Sequence, residues 1–169
     1  MVETNPQESS IATNGVEATT PWAEAREQLA AASRYWFATV RSDGRPHVMP
    51  LFGVWLDGSL FFTANPKTRK ARNLAGDDRC VIAASSEALD LVVEGTAVRV
   101  RDEATLRRVV EAYASKYGWP LTIRDDGGFD APYGAPSAGS PPYEPYQLTP
   151  VTAFGFGVVE PFGATRWQF

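Results

Sequence analysis

Along the chain, short apolar and β-branched runs alternate with Asp-Gly punctuation, and three stretches break into helical spacing. RYWFATVR (34–41) places six apolar, aromatic or β-branched residues in succession, the pattern of a strand buried on both faces. Ser42-Asp43-Gly44-Arg45 follows as a hairpin turn, its glycine supplying a positive φ. PHVMPLFGVW (46–55) reads as the partner strand, with Pro50 and Gly53 pointing to a bulge or a close backbone approach. A second Asp-Gly turn, Asp57-Gly58, leads into SLFFTA (59–64), so the segment predicts an antiparallel meander. RCVIAAS (79–85) and LDLVVEGTAVRVR (89–101) resume the strands, and in the latter Val98 and Val100 alternate with Arg99 and Arg101, leaving one face wet. YQLTPVTAFGFGVVE (146–160) is the last long strand before ATRWQF. Its Gly155-Phe156-Gly157 run marks either a close approach or a barrel bend.

Three stretches read as helices. Thr20-Pro21 is a cap followed by proline at the first helical position, opening a helix over 22–32. Asn65-Pro66 repeats the signal before KTRKARNLAG (67–76), closed by Gly76. Asp102 caps an amphipathic helix to Tyr117, with Leu106, Val109, Val110, Tyr113 and Tyr117 as its apolar stripe and Gly118 and Pro120 ending it. Residues 125–145 are rich in Gly and Pro yet carry Phe129, Tyr133 and Tyr143, which predicts an ordered lid or partner-contacting loop. Residues 1–20 are polar and read as a disordered tail, leaving 21–169 as one domain. About six antiparallel strands with helical decorations predict a barrel.

Composition narrows the function. No window offers the roughly 20 apolar residues of a membrane span, and the amino terminus has neither a basic start nor an apolar stretch, so a reduced cytoplasmic setting is expected. One cysteine, Cys80, excludes an intrachain disulfide and any multi-cysteine zinc site. The net charge is −4, but residues 22–169 hold 16 basic against 17 acidic groups. A nearly neutral body argues against a general nucleic-acid binder. Five of the basic residues nevertheless fall between Lys67 and Arg79.

That excess carries the main chemical signal. Thr63-Ala64-Asn65-Pro66-Lys67-Thr68-Arg69-Lys70 joins a strand to a helix, and a helix N-terminus presents free N–H groups and a positive dipole to an anion. Lys67, Arg69 and Lys70 add charge, and Thr63 and Thr68 add hydroxyl donors. The competing reading is a solvated basic helix face. Elsewhere the signals are structural. His47, the sole histidine, is first a packing residue. Ser137 lacks the glycine of a nucleophile elbow. Asp125, Asp126 and Asp130 miss the calcium-loop spacing, and Cys80 enters an apolar strand as core.

At FATVRSDGRPHVMPLFGVW, LFFTANPKTRKARNLAGDDRCVIAAS, LDLVVEGTAVRV and ATRWQF the chain resembles the pyridoxamine 5′-phosphate oxidase-like split-barrel family, and within it the flavin/deazaflavin oxidoreductases of the B group. The resemblance covers about residues 22–169, and its most specific element is Thr-x-x-x-x-x-Arg-Lys-Ala-x-Asn-Leu. It implies a mainly β split barrel that pairs into a homodimer, with cofactor sites between subunits. It places the cofactor ring against His47, Val48, Met49 and Pro50, with Thr63 near its polar edge. Lys67, Thr68, Arg69, Lys70 and Asn73 then hold the phosphate end, and Arg166 and Trp167 close the site from the partner. Coenzyme F420 and FMN both carry a ring, a ribityl chain and a phosphate. The 13 Arg against 3 Lys and the abundant Ala favour F420, with FMN the alternative. The implied chemistry is hydride transfer to an electron-poor acceptor. Tyr133, Tyr143 and His47 are candidates for protonating substrate, and a carrier protein or an FMN-dependent oxidase are the rival classes.

Overall fold

The computed structural model describes residues 5–136 and 138–169, so residues 1–4 of the expected tail, and Ser137, lie outside the described residues. The chain runs β1 (Gln7–Ser10), α1 (Trp22–Ala31), β2 (Tyr35–Val40), β3 (Pro46–Leu51), β4 (Gly53–Leu56), β5 (Ser59–Ala64), α2 (Arg69–Gly76), β6 (Arg79–Ser85), β7 (Leu89–Arg99), α3 (Glu103–Tyr117), β8 (Thr122–Ile123), β9 (Phe129–Asp130), β10 (Glu144–Gly157) and β11 (Ala164–Gln168). Nine strands form one sheet in the order β1-β11-β10-β7-β6-β2-β3, with β5 joined to β10 and β4 to β5, while β8 and β9 pair separately. The strands exceed the expected six because the 46–55 run breaks at Phe52, the closing ATRWQF segment forms β11, and three short strands lie in stretches without alternating hydrophobicity.

The sheet splits at β10. Along one edge β10 pairs with β7 from Tyr146 to Gly157. Along the other, Glu144–Leu148 pairs with β5 and Thr152–Phe156 with β11. One strand thus serves two different neighbours, and a bulge between Pro150 and Thr152 bends it between them. Opposite the bend, a Cβ on Gly95 would lie 2.2 Å from the Thr149 carbonyl oxygen, so only glycine fits there.

Two cores result. Phe37, Leu60, Phe62, Ile82, Leu91 and Trp167 belong to the interior cluster of the sheet. Phe61, Leu106, Val109, Tyr113, Phe129 and Tyr143 form the second, beneath α3 and the Gly/Pro-rich loop. β5 is buried along its whole length because its two faces serve the two clusters. α3 matches its sequence signals: the Asp102 carboxylate accepts from the Thr105 N–H at 2.8 Å, and Gly118 closes it at φ 62°.

Three expectations are corrected. Residues 7–10 are not tail: they pair in antiparallel register with β11, and Ile11 donates to the Ala164 carbonyl. Main-chain hydrogen bonds to an open sheet edge need no apolar side chains, so composition did not reveal the strand. β2 is not buried on both faces, since Trp36 and Val40 point outward, Trp36 with 57% of its surface exposed. Pro21, not Thr20, occupies the cap position of α1, and the Thr20 N–H donates to the Thr165 hydroxyl instead.

Candidate functional site

The site lies where β2 and β3 meet α2. β3 is the last strand of its sheet, which is why it accommodates both Pro46 and Pro50: an edge strand has N–H positions that need no partner. His47 stands opposite Thr39 in the β2–β3 register. The Thr39 hydroxyl accepts from Asn73 Nδ2 at 2.9 Å, which ties α2 to β2 beside the histidine. The four residues before α2 are fixed by their own side chains. Asn65 Oδ1 accepts from the Lys67 N–H at 2.8 Å, the Thr68 hydroxyl donates to the Asn65 carbonyl at 2.7 Å, and Thr68 then caps the helix by accepting from the Ala71 N–H. The cap is therefore Thr68 and not Asn65. Asn65 also donates to the Ser140 carbonyl at 2.7 Å, so the Gly/Pro-rich loop is moored to the turn that opens α2.

The electrostatics are one-sided. Burial, with Arg41, Lys70 and Arg69 close by, depresses the His47 pKa, so the ring is held neutral at pH 7. Its Nδ1 is buried without a hydrogen-bond partner. Lys70 is only 3% exposed, and burial lowers its pKa as well. Arg69 and Lys67 stay exposed. The structure thus gathers His47, Arg69, Lys70 and Asn73 in one place, with Thr68 at the adjoining cap.

Other expected residues fall elsewhere. Val48 and Met49 are exposed and Pro50 is half-buried along β3. Thr63 is buried on the face of β5 that carries Phe61, toward the second core. Arg166 is half-buried on β11, separated in the sheet order from β3 by β10, β7, β6 and β2. Trp167 is the clear correction. It is 0% exposed, its ring 5.4 Å from that of Trp22, and it packs on Gly155, where a Cβ would stand 2.5 Å from its Cη2. It is a core residue of its own chain and presents no ring to a partner; the close approach foreseen at Gly155 exists to seat it. Tyr143 is equally withdrawn, being buried with its hydroxyl donating to the Gly139 carbonyl, whereas Tyr133 is exposed.

Two residues were missed. Arg41 and Arg72 line a cavity of about 480 Å³ together with Arg69 and Asn73. The i, i+3 spacing of Arg69 and Arg72 on the predicted helix was the available signal. Among the described residues no helix is long and apolar enough to cross a membrane.

Comparison with known proteins accords with this geometry. A family model described as pyridoxamine 5′-phosphate oxidase matches residues 21–152. Comparison with curated proteins gave no match. Among solved structures, a heme binding protein from Mycobacterium smegmatis is 19% identical with a TM-score of 0.61, covering 87% of this chain and 59% of its own. A FAD-binding protein from Mesorhizobium loti is 14% identical with a TM-score of 0.59, covering 90% and 97%. A Clostridium acetobutylicum protein related to general stress protein 26 of Bacillus subtilis, of the pyridoxinephosphate oxidase family, is 13% identical with a TM-score of 0.59, covering 87% and 93%. At such identities these likenesses speak to the fold, and the fold is the split barrel that β10 creates. With the family model spanning most of the sequence, the chain belongs to the pyridoxamine 5′-phosphate oxidase family.

Proposed function

We propose that this chain binds coenzyme F420, with FMN as the alternative, and serves as an oxidoreductase that passes a hydride between the reduced cofactor and an electron-poor small molecule. The observation that carries the reading is the gathering of Arg69, Lys70 and Asn73 at the start of α2 beside the neutral His47. A ribityl phosphate fits this donor set. Arg69 and Lys67 supply exposed positive charge, Lys70 supplies a buried ammonium, and the buried Nδ1 of His47 has no hydrogen-bond partner of its own. Met49, exposed on the same face of β3 as His47, offers apolar contact for a planar ring, while Val48 points to the opposite face. When bound, the cofactor supplies the two-electron chemistry, and the protein contributes binding, orientation and exclusion of water. Thr68 and Asn65 hold the turn rigid, Asn73 locks α2 onto β2, and the loop moored through Ser140 limits access from its side. No proton donor is assigned.

The reading includes a homodimer. The outward face of the sheet carries an apolar hollow of about 580 Å³ lined by Ala38, Val40, Pro46, Val81 and Val151. Trp36, Val48 and Val98 add exposed apolar surface, and a second copy of the chain would cover this patch. The deciding experiment is expression in a host that makes both cofactors, followed by the absorption spectrum and mass of what copurifies. Recovery of the deazaflavin supports the first choice, recovery of FMN the second, and neither cofactor copurifying or binding on titration removes the proposal. Oxidation of the reduced cofactor by added acceptors then separates an enzyme from a carrier.

A further inference from the structure

We propose that the cavity between α2 and the β2–β3 turn is a second anion subsite, taking a further phosphate or carboxylate carried by the same ligand beyond its ribityl phosphate. This rests on the cofactor reading above and extends it. The cavity, about 480 Å³, is lined by Arg41, Ser42, Arg69, Arg72, Asn73 and Asp77 among others, a volume within the range of ligand sites. Its arginines differ from six others in the protein, although Arg34, Arg101 and Arg166 are likewise without an ion pair among the described residues. Arg45, Arg79, Arg99, Arg107, Arg108 and Arg124 each hold a carboxylate. Arg41, Arg69 and Arg72 form no ion pair among the described residues, although they share one cavity. Asp77, the carboxylate in its wall, is committed to Arg79, whose Nε and Nη2 donate to it at 2.9 and 2.7 Å. Arg41 is only half exposed, and its Nε is buried without a partner.

The helix sets the spacing. Arg72 and Asn73 follow Arg69 by three and four residues, so the three share a face, with Arg72 roughly 4.5 Å further along the axis. That is close to the separation of neighbouring anionic groups on one chain. The last turn of α2 holds no basic residue, so complementing the helix dipole is not what gathers these charges. Arg69 and Asn73 belong to both places, which makes the cavity a continuation of the first site and not a separate patch. FMN, with one phosphate, leaves Arg41 and Arg72 without a counter-charge. FAD would fill the cavity with a second phosphate, and the deazaflavin with its glutamate carboxylates.

The test compares FMN, FAD, F420 and F420 stripped of its glutamates, each titrated into the full chain and into Arg41→Gln/Arg72→Gln. The wild type is expected to bind an extended form at least tenfold tighter than its short counterpart. The variant is expected to lose that preference while its affinity for the short form stays within about threefold. FAD and F420 identify the source of the second anion by which pair shows the gap. Equal affinities for short and extended forms in the wild type, or a variant that loses both alike, overturns the inference. Inorganic pyrophosphate gives a readout independent of any flavin. It is expected to raise the thermal midpoint of the wild type more than that of the variant, which keeps Arg69 and Lys70, and equal protection of both overturns the inference. If pyrophosphate protects selectively but none of the ring-bearing ligands binds, the cofactor reading has failed and the anion subsite stands.

Discussion

The two sides of the barrel treat charge in opposite ways. On the side closed by α3, most arginines meet carboxylates: Arg108 grips Asp57 with both terminal guanidinium nitrogens, Arg107 reaches Glu103 one turn away, and Arg99 meets Glu144 at 2.7 Å. Beneath them the aromatic rings of Tyr113, Trp119 and Tyr143 stack edge to face in a dry cluster. On the side of α2, Arg41, Arg69 and Arg72 share a cavity without a carboxylate of their own, and β3 leaves Val48 and Met49 in the open. A fold gains nothing from concentrating like charges, which repel. Keeping them together makes sense when the missing counter-charge arrives with a ligand. On the proposed reading, the α3 side holds the structure together and the α2 side is kept for a ligand.

Breaking the sealed side should cost the most. Phe129 is fully buried, and its main chain exchanges two 2.8 Å hydrogen bonds with Tyr143. Phe129→Ala is expected to destabilise the protein by about 3–5 kcal/mol, read from urea unfolding. Cofactor affinity of the molecules that remain folded should be nearly unchanged. A substitution there that removed binding and spared stability would reverse the roles assigned to the two sides.

The converse change targets the open side. Arg69→Gln with Lys70→Gln should weaken binding of the phosphorylated cofactor on the order of a hundredfold, about 2.7 kcal/mol. The fold should survive, since Arg69 is exposed and Gln at the buried position 70 keeps a polar end without burying a charge. Riboflavin, which lacks the phosphate, should bind wild type and variant equally weakly, and added salt should erode the wild-type affinity more. Equal discrimination between the two ligands by both proteins would return α2 to a solvated basic face.

How much of this could be read in advance varied with the cause of each feature. β6 and α3 were legible to their ends because alternation, Asp102 and Gly118 are local signals. The cation cluster at α2 was legible for the same reason, since strand, cap and charges lie within a dozen residues. β1 was not, because its stability comes from the edge of β11, more than 150 residues away in sequence. Trp167 was misplaced because the resemblance suggested an interface, whereas a bare Gly155 opposite it makes the inward seat available. Arg41 joined the site only through the hairpin and the packing of α2 on β2, which no local pattern encodes. The outward face of β2 is half legible: the run at 35–40 shows an apolar strand, but nothing local says that Trp36 and Val40 face outward.

That outward face gives the next expectation. Sedimentation at micromolar concentration should return about twice the 18.4 kDa chain mass. Trp36→Lys, a change at an exposed position that touches neither core, should raise the dissociation concentration at least tenfold by placing a charge in an apolar interface. A wild-type chain that sediments as a monomer while binding cofactor would leave the α2 site complete within one chain and remove the dimer from the proposal.

The smallest effect concerns a cation on the sealed side that has oxygen dipoles and rings in place of a carboxylate. Lys116 Nζ donates to the Gly53 carbonyl at 3.0 Å and to the Tyr35 hydroxyl at 3.2 Å, and lies 5.2 and 5.3 Å from the ring centroids of Tyr35 and Tyr117. Burial lowers its pKa from 10.5 to about 8. A lysine depressed in the folded state sheds its proton there first. Between about pH 8 and 10.5 the unfolded chain therefore binds more protons, and this group's contribution to stability rises with pH across that window. Cys80, raised from 9.0 to about 12 by burial, acts the other way above pH 9.0, as does Tyr35 above its ordinary 10.0. The wild-type profile alone would blur these opposing slopes. The informative quantity is the difference in urea midpoint between wild type and Lys116→Met at pH 7, 8, 9 and 10. Both proteins keep Cys80 and the tyrosines, so their slopes largely cancel. The gap should drift in favour of the wild type above pH 8, by a small amount because Lys116 is partly exposed and solvent screens it. Parallel profiles over that range would mean that the ammonium is as well accommodated by dipoles and rings as by water, and the sealed side would then tolerate an unpaired cation as readily as the open one.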